Sequence, residues 1–485
     1  MKNLKKFLAL GLAAAMAVSV AACGDSSSSS SDNKGTQGEN KTNAVGDKET
    51  QGGSNEGKAR EILIGSWWVQ YYDSTHTSVE DDPSYTGDLA AELKFENVKK
   101  IEEKYNVTFK WVNLTYEGTR ESINNSILAG SPDCDIYLVD TGMALPAQVN
   151  GLAMDMKEVL PADSDLLSDQ VLNKYMDLGD GKACIIKRVE AQSVVEATYP
   201  LAFNKQILEA ANLEDPRELY KRGEWTWDKF KEYLRVLTKD TDGDGAVDQY
   251  GFAGYPPETF EALMFSNGTN IAATQTENLS SSEVAESLQM LQDLFYNDGC
   301  AFPYENDTDK MRNKYRDGNI AFWPSACWIA ANNKDYDVST PDKNLQFDTV
   351  YCRWPVGPSG NQETNYAKNL TSGEFYIIPA GVENPELVYN VLLDMWNWFD
   401  GDTSIRDSKE TLSWWYGSTA KDETLQVENF DMMFEMGSKD VMDLWQSFGF
   451  DYDFDSLIAG TMTPAQFQET FKQQVQDGLD AVYKK

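Results

Sequence analysis

The sequence predicts a mixed α/β body preceded by a disordered tether. From residue 61 onward, short apolar runs of strand type alternate with segments whose apolar residues recur on a helical period. The connections between them are short, which implies parallel pairing with crossover helices. Residues 24–60 are the opposite: rich in Ser, Gly, Asn and charged residues, with six consecutive serines from Ser26 to Ser31 and no apolar periodicity. Nothing there drives collapse.

The elements follow in order. Met1-Lys2-Asn3-Leu4-Lys5-Lys6 is a basic start, and Phe7 to Ala22 is an apolar run of 16 residues. That is a secretory signal, too short to span ~30 Å of hydrocarbon comfortably. The run closes Val20-Ala21-Ala22-Cys23-Gly24, which resembles the bacterial lipobox. In lipoproteins of that kind the cysteine takes a diacylglyceryl group and becomes the new N-terminus. The alternative is an ordinary secretory signal with Cys23 incidental. Residues 23–60 fit a lipidated tether, because a flexible segment of that length reaches roughly 30–35 Å. The expected address is the outer face of the cytoplasmic membrane, Gram-positive in type.

Glu61 to Trp68 reads as a buried strand, and Leu89 to Tyr105 as a helix with Leu89, Leu93, Val98 and Ile101 on one face. Val107 to Val112 is a second strand. Glu121 to Leu128 is a helix closed by Ala129-Gly130-Ser131-Pro132, and Asp135 to Asp140 is a third strand. Ligands of such sheets sit outside the carboxyl ends of the strands, here Trp67-Trp68 and Asp140-Thr141. Helices are expected over Trp227–Leu237, Ser282–Tyr296, Met311–Asp317, Pro385–Phe399 and Pro464–Tyr483. Late strands are expected over Ile320–Trp323 and Glu374–Pro379.

Composition excludes several functions. With 42 Lys+Arg against 78 Asp+Glu the net charge is −36, which repels nucleic acid and anionic lipid. Loss of Lys2, Lys5 and Lys6 with the signal leaves 39 basic residues and a net of −39. A single histidine, His76, rules out triads and metal sites built on several histidines. It lies in a polar loop and reads as solvated. Cys134, Cys184, Cys300, Cys327 and Cys352 are odd in number and lack CxxC spacing, so buried free thiols are expected. At ~150 residues per domain, 485 residues suggest two or three packing units.

Six stretches in order carry a resemblance: Ile62 to Trp68, Ala129 to Ile136, Pro200 to Lys205, Trp225 to Phe230, Asp317 to Phe322 and Tyr376 to Ala380. Behind a lipobox and a polar tether, they resemble the extracellular solute-binding proteins of ABC importers, in the sugar-binding, maltose-binding-protein-like group. The resemblance covers about 60–485. It implies a two-lobe periplasmic-binding-protein-like fold with a hinge, residues 61–190 and 319–380 in the N-lobe and 191–318 and 381–485 in the C-lobe. It further implies a non-enzymatic, monomeric protein that delivers a carbohydrate, an oligosaccharide above all, to ABC permease subunits. The same fold binding a peptide, a polyamine or another organic solute stays open. So does a secreted glycan-active enzyme using paired carboxylates, or an adhesin or sensor-coupled binder.

Two constellations carry chemistry. Asp240, Asp242, Asp244 and Asp248 stand at positions 1, 3, 5 and 9 of an EF-hand-like loop, with Gly245 at 6 and Ala246 offering a carbonyl at 7. Position 12 is Gly251, so the bidentate glutamate is missing, and Gln249 is the substitute ligand. Structural Ca2+ is expected, the alternative being an empty, solvated acidic turn. The second constellation is aromatic. Trp67, Trp68, Trp323, Trp328, Trp414 and Trp415 are candidates to pack on sugar rings, with Asp140, Glu190 and Tyr199 as polar partners and Glu374 a weaker one. The competing reading puts most of these rings in the core.

Overall fold

The computed structural model describes residues 59–67, 72–81, 85, 89–161, 178, 181–187, 199–305, 307–324, 345–365, 368–369, 374–408, 410–411, 420, 422–437 and 440–483. Residues 1–57 and 58–485 separate as two units, and the described residues all fall in the second. The lipobox and tether expectations lie outside them. In chain order the strands are β1 (Arg60–Ser66), β2 (Val107–Asn113), β3 (Ile136–Val139), β4 (Ile186–Lys187), β5 (Leu201–Asn204) and β6 (Tyr250–Phe252). There follow β7 (Ile320–Pro324), β8 (Thr349–Cys352), β9 (Lys368–Asn369), β10 (Phe375–Ile377) and β11 (Asp440–Val441).

The first sheet has the order β2-β1-β3-β10-β4. β1 pairs in parallel with β2 from Arg60↔Val107 to Ser66↔Asn113, and with β3 at Ile64↔Ile136. The expected strand–helix–strand–helix–strand series is therefore present. Its first crossover is Leu89–Tyr105, which buries Ala90, Ala91, Val98 and Ile101. Its second is Tyr116–Ser126, one turn longer at its start than the sequence predicts, because Thr115 caps it by accepting from Gly118 N. β10 returns antiparallel between β3 and β4. One face is filled by Ile62, Ile64, Phe109, Ile136, Leu138 and Tyr376.

The second sheet has the order β6-β7-β5-β8, with β6 and β7 parallel and β5 antiparallel to both its neighbours. Trp227–Leu237 forms as expected, started by Thr226 accepting from Lys229 N. It packs Phe230 edge-on to Phe322 at 5.2 Å, and Trp225 stacks on the same ring at 5.9 Å. Gly251 lets the same helix lie close on β6: a Cβ there would sit 2.6 Å from the Leu234 carbonyl oxygen.

The expected allotment of residues to the two bodies needs correction. Residues 320–324 and 349–352 belong to the second sheet rather than the first, because β7 and β8 flank β5. Pro385–Trp396 belongs with the first sheet, since Asn97 Nδ2 donates to the Asp394 carbonyl at 2.7 Å and Tyr376 meets Trp396 at 5.2 Å. The chain thus leaves the first sheet after β4, returns between β8 and β10, and stays with the first body through Asp400, which pairs with Lys100 at 2.7 Å.

Other bounds shift by a few residues. The helix expected over Ser282–Tyr296 is α-helical over Ser282–Gln292 and continues as a π-helical turn, Asp293–Asn297. Met311–Asp317 is found as Thr308–Arg316, and Pro464–Tyr483 as predicted. Cys134, Cys184, Cys300 and Cys352 are buried and form no disulfide among the described residues, while Cys327 lies outside them. His76 is less solvated than expected, its side chain 18% exposed with Nδ1 3.8 Å from Asp73 Oδ1. Among the described residues no helix is long and apolar enough to cross a membrane.

Candidate functional site

β3 ends at Val139, and Asp140 caps the following helix, Thr141–Val149, with Oδ1 accepting from Met143 N at 2.9 Å. Its other oxygen accepts the Tyr116 hydroxyl at 2.6 Å. Trp67, at the end of β1, meets the Tyr116 ring edge-to-face at 5.9 Å. Arg120 donates to the same hydroxyl at 3.2 Å and lies 5.2 Å from the ring centroid. Burial, then the Asp140 carboxylate it donates to, push the Tyr116 hydroxyl up to about 12. It stays a protonated donor at any ordinary pH. Tyr116 is 39% exposed, so this group is a partly exposed platform of aromatic, carboxylate and guanidinium groups. Parallel pairing assembles it, because the carboxyl ends of three strands meet at one edge.

A second group lies on Pro256–Ser266. This helix is largely apolar and buried, and it carries two acids, Glu258 and Glu261, which stand at i and i+3 on one face. Glu261 is 1% exposed. Its Oε2 accepts from Asn369 Nδ2 and Trp445 Nε1, both at 2.9 Å, and from Gln446 Nε2 at 3.2 Å, while Oε1 is buried without a partner. Asp443 accepts backbone N–H groups of Ile271 and Ala272 at 2.7 Å each. The Tyr199 hydroxyl interacts with Glu258, and its backbone sits at φ +48° with its carbonyl held by Trp354 Nε1 at 2.9 Å. The two groups are connected: Thr141 Oγ1 and Ser447 Oγ are 2.7 Å apart.

Of the residues singled out from the sequence, Trp67 and Asp140 come together through Tyr116, and Tyr199 joins the acidic group. Trp323 is 7% exposed and packs on Tyr315 at 5.7 Å in a cluster with Met311, Leu345 and Phe347, the contacts of a core residue. Trp68, Glu190, Trp328, Trp414 and Trp415 lie outside the described residues. Tyr116, Arg120, Glu258, Glu261, Asn369, Asp443, Trp445 and Gln446 were missed. Glu258 and Glu261 had a legible signal, two carboxylates on one face of a largely apolar helix. The others depend on strand pairing between distant segments.

The acidic loop lies apart, between Trp227–Leu237 and β6. Carboxylate oxygens of Asp240, Asp242 and Asp244 all lie within 4.8 Å of one another on the surface. Asp240 accepts from Gly243 N at 2.6 Å and Gly245 N at 2.8 Å, and these backbone bonds hold its carboxyl below the usual range. Gly243 and Gly245 take φ of +84° and +92°, which folds the chain around the three oxygens. Asp248, expected as a fourth ligand, instead accepts from Thr241 N and Oγ1 at 2.8 Å each. Gln249 donates its side-chain amide to the Leu237 carbonyl at 2.7 Å. The Ala246 N–H donates to Asp244 at 2.8 Å. Three converging carboxylates are a hard-oxygen donor set of the kind Ca2+ takes.

The sequence matches the family model for bacterial extracellular solute-binding protein over residues 78–392. No curated protein sequence matches it. Among solved structures, it is similar to an ABC substrate-binding protein from Listeria monocytogenes in complex with cycloalternan. That match has a TM-score of 0.56 at 14% identity over 87% of this chain and 98% of the other. A maltose/maltodextrin-binding domain from Bdellovibrio bacteriovorus bound to maltotriose matches with a TM-score of 0.55 at 17% identity over 87% and 98%. The GacH receptor of Streptomyces glaucescens, solved unliganded and with acarbose, gives 0.56 at 14% over 87% and 99%. These likenesses establish the two-lobe binding-protein fold.

Burial pushes Glu258 and Glu261 up to about 7, and Asp443 up to about 6. A carboxyl raised in the folded chain keeps its proton where the unfolded chain has lost it. Its stabilising contribution is therefore complete below the ordinary carboxylate range and lost as pH rises through about 7. The unfolding midpoint is predicted to fall between pH 5 and pH 8, Glu261 accounting for on the order of 2–3 kcal/mol. Glu261→Gln, which keeps the shape without the charge, should flatten that fall. Thermal melts across the window check this, and an unchanged slope in the variant contradicts it.

Proposed function

The chain belongs to the bacterial extracellular solute-binding proteins, and from that membership we propose that it captures a carbohydrate, an oligosaccharide, for an ABC permease. The observation that carries this reading is the Trp67–Tyr116–Asp140 platform at the strand ends. A partly exposed aromatic pair suits the C–H face of a sugar ring, and the surrounding carboxylate, phenol and guanidinium suit its hydroxyls. Solved structures of the same fold with cycloalternan, maltotriose and acarbose support it. Binding is coupled to closure only if both bodies touch the solute, since moving a 1:99 population to 99:1 takes ~10⁴-fold preference for the closed form. The Thr141–Ser447 contact joins the platform to the Glu258–Glu261 group across that boundary.

Cys23 carries the lipid anchor in this reading, and residues 24–60 tether the body to the outer face of the cytoplasmic membrane. The protein acts as a monomer, by binding and release without turnover. Asp240, Asp242 and Asp244 hold a Ca2+ ion, with Ala246 and Gln249 offering further oxygens. Asp248 braces the loop through Thr241. The ion relieves repulsion among the carboxylates and clips the loop between Leu237 and Tyr250.

Three outcomes are expected. Titration calorimetry with malto-oligosaccharides should show binding that Trp67→Ala weakens roughly 5–30-fold, as loss of one aromatic contact implies; unchanged affinity removes the platform from the site. Millimolar Ca2+ should raise the unfolding midpoint relative to chelator, by about 2.7 kcal/mol at a hundredfold excess over Kd, and the Asp242→Asn/Asp244→Asn variant should lose this response. Equal midpoints with and without Ca2+ in the unaltered chain would falsify the clip. Cys23→Ser should release the protein from the membrane fraction and abolish labelling by radioactive fatty acid; retention in membranes argues against the anchor.

A further inference from the structure

We infer that Glu258 and Glu261 together receive a protonated amine of the solute, so that the bound carbohydrate is an amine-bearing one. This rests on the carbohydrate reading and narrows it. The two carboxyls share one face of Pro256–Ser266. Among the described residues neither meets a Lys, Arg or His. The groups acting on Glu258 are Tyr199 and Glu261, and those acting on Glu261 are Asn369, Trp445, Asp443 and Gln446. Tyr255, Tyr304 and Asp455 stand beyond them and add no positive charge.

Among the described residues the donors to Glu261 are three neutral N–H groups, and all converge on Oε2. Oε1 is buried in a side chain 1% exposed and has no partner. A buried acceptor left empty beside a second acid is costly unless something supplies both a donor and a compensating charge. A sugar hydroxyl supplies only the donor. An ammonium group supplies three N–H donors and the charge, enough for Oε1 and the Glu258 carboxyl at once.

The approach this inference requires runs past Gln446. Gln446, which reaches Oε2, is exposed, and Glu258 and Tyr199 are only half-buried. Ser447, next in sequence to Gln446, touches Thr141. Thr141 follows Asp140 of the platform, and Gln446 precedes Ser447, so this one contact links the neighbours of the two groups. Both carboxyls hold protons part of the time near neutral pH. An arriving ammonium favours their charged forms, so a proton leaves each engaged carboxyl for solvent while the amine keeps its own.

Isothermal titration of the full chain at about pH 6 tests this, using glucosamine dimers to tetramers against their fully N-acetylated counterparts, with maltotriose as the neutral reference. Repeating each titration in two buffers of different ionisation enthalpy counts the protons released. The free-amine oligomers should bind at least about tenfold tighter than the acetylated ones, with net proton release. In Glu258→Gln/Glu261→Gln that ratio should fall to about one. Where the double variant fails to fold, the ratio and the proton release of the unaltered chain still decide. Amine oligomers bound no tighter than acetylated ones, or a preference kept by the folded variant, overturns the inference. Neutral sugars bound without amine preference leave the carbohydrate reading standing, whereas no sugar bound in any arm overturns both.

Discussion

The parallel register of β1 with β2 and β3 is the constraint on which the candidate site depends. Because Ser66 pairs with Asn113, and Gly65 with Tyr137, the residues that follow each strand emerge at one edge. Trp67, Tyr116 and Asp140 are separated by dozens of residues in the chain and meet there. Asp140 then does two jobs with two oxygens, capping a helix and fixing the Tyr116 hydroxyl. A single-residue slip of β1 would turn its side chains to the opposite face and take Trp67 from the edge.

Against this platform stands a group built on a different principle. The second body buries the carboxyls of Glu261 and Asp443 and half-buries that of Glu258, where the donors shown among the described residues are amides, an indole, a phenol and backbone N–H groups. Ordinary packing would avoid that arrangement, since uncompensated buried charge destabilises the fold. Such local disagreement with folding physics is where functional sites are found. The acidic surface loop is a milder case, with its charges exposed and its backbone N–H groups already turned toward them.

Much of the fold was legible because it rests on local pattern. The strand–helix alternation over 60–139, the Trp227–Leu237 helix behind its Thr226 cap and the terminal Pro464–Tyr483 helix follow from apolar period and capping chemistry. The allotment of later segments to the two bodies was not legible. Whether residues 320–324 join β1 or β5 depends on which apolar edge they find, and both edges look alike in sequence. Aromatic residues show the same limit. Trp67 and Trp323 both follow or occupy apolar strand runs, yet one lines a partly exposed platform and the other packs against Tyr315.

The sequence by itself determined the signal-like N-terminal pattern, the polar composition of residues 24–60, the α/β alternation, the acid-rich loop and the family to which the chain belongs. These are properties of contiguous residues, and contiguous residues carry them wherever the chain folds. Only the tertiary structure decided that Tyr116 would bridge Trp67 and Asp140, that Glu261 would be buried with one oxygen unpartnered, and that Thr141 would touch Ser447. Those contacts join segments up to 306 positions apart. Such contacts are set by strand register and by burial, quantities that exist only once the sheets have closed.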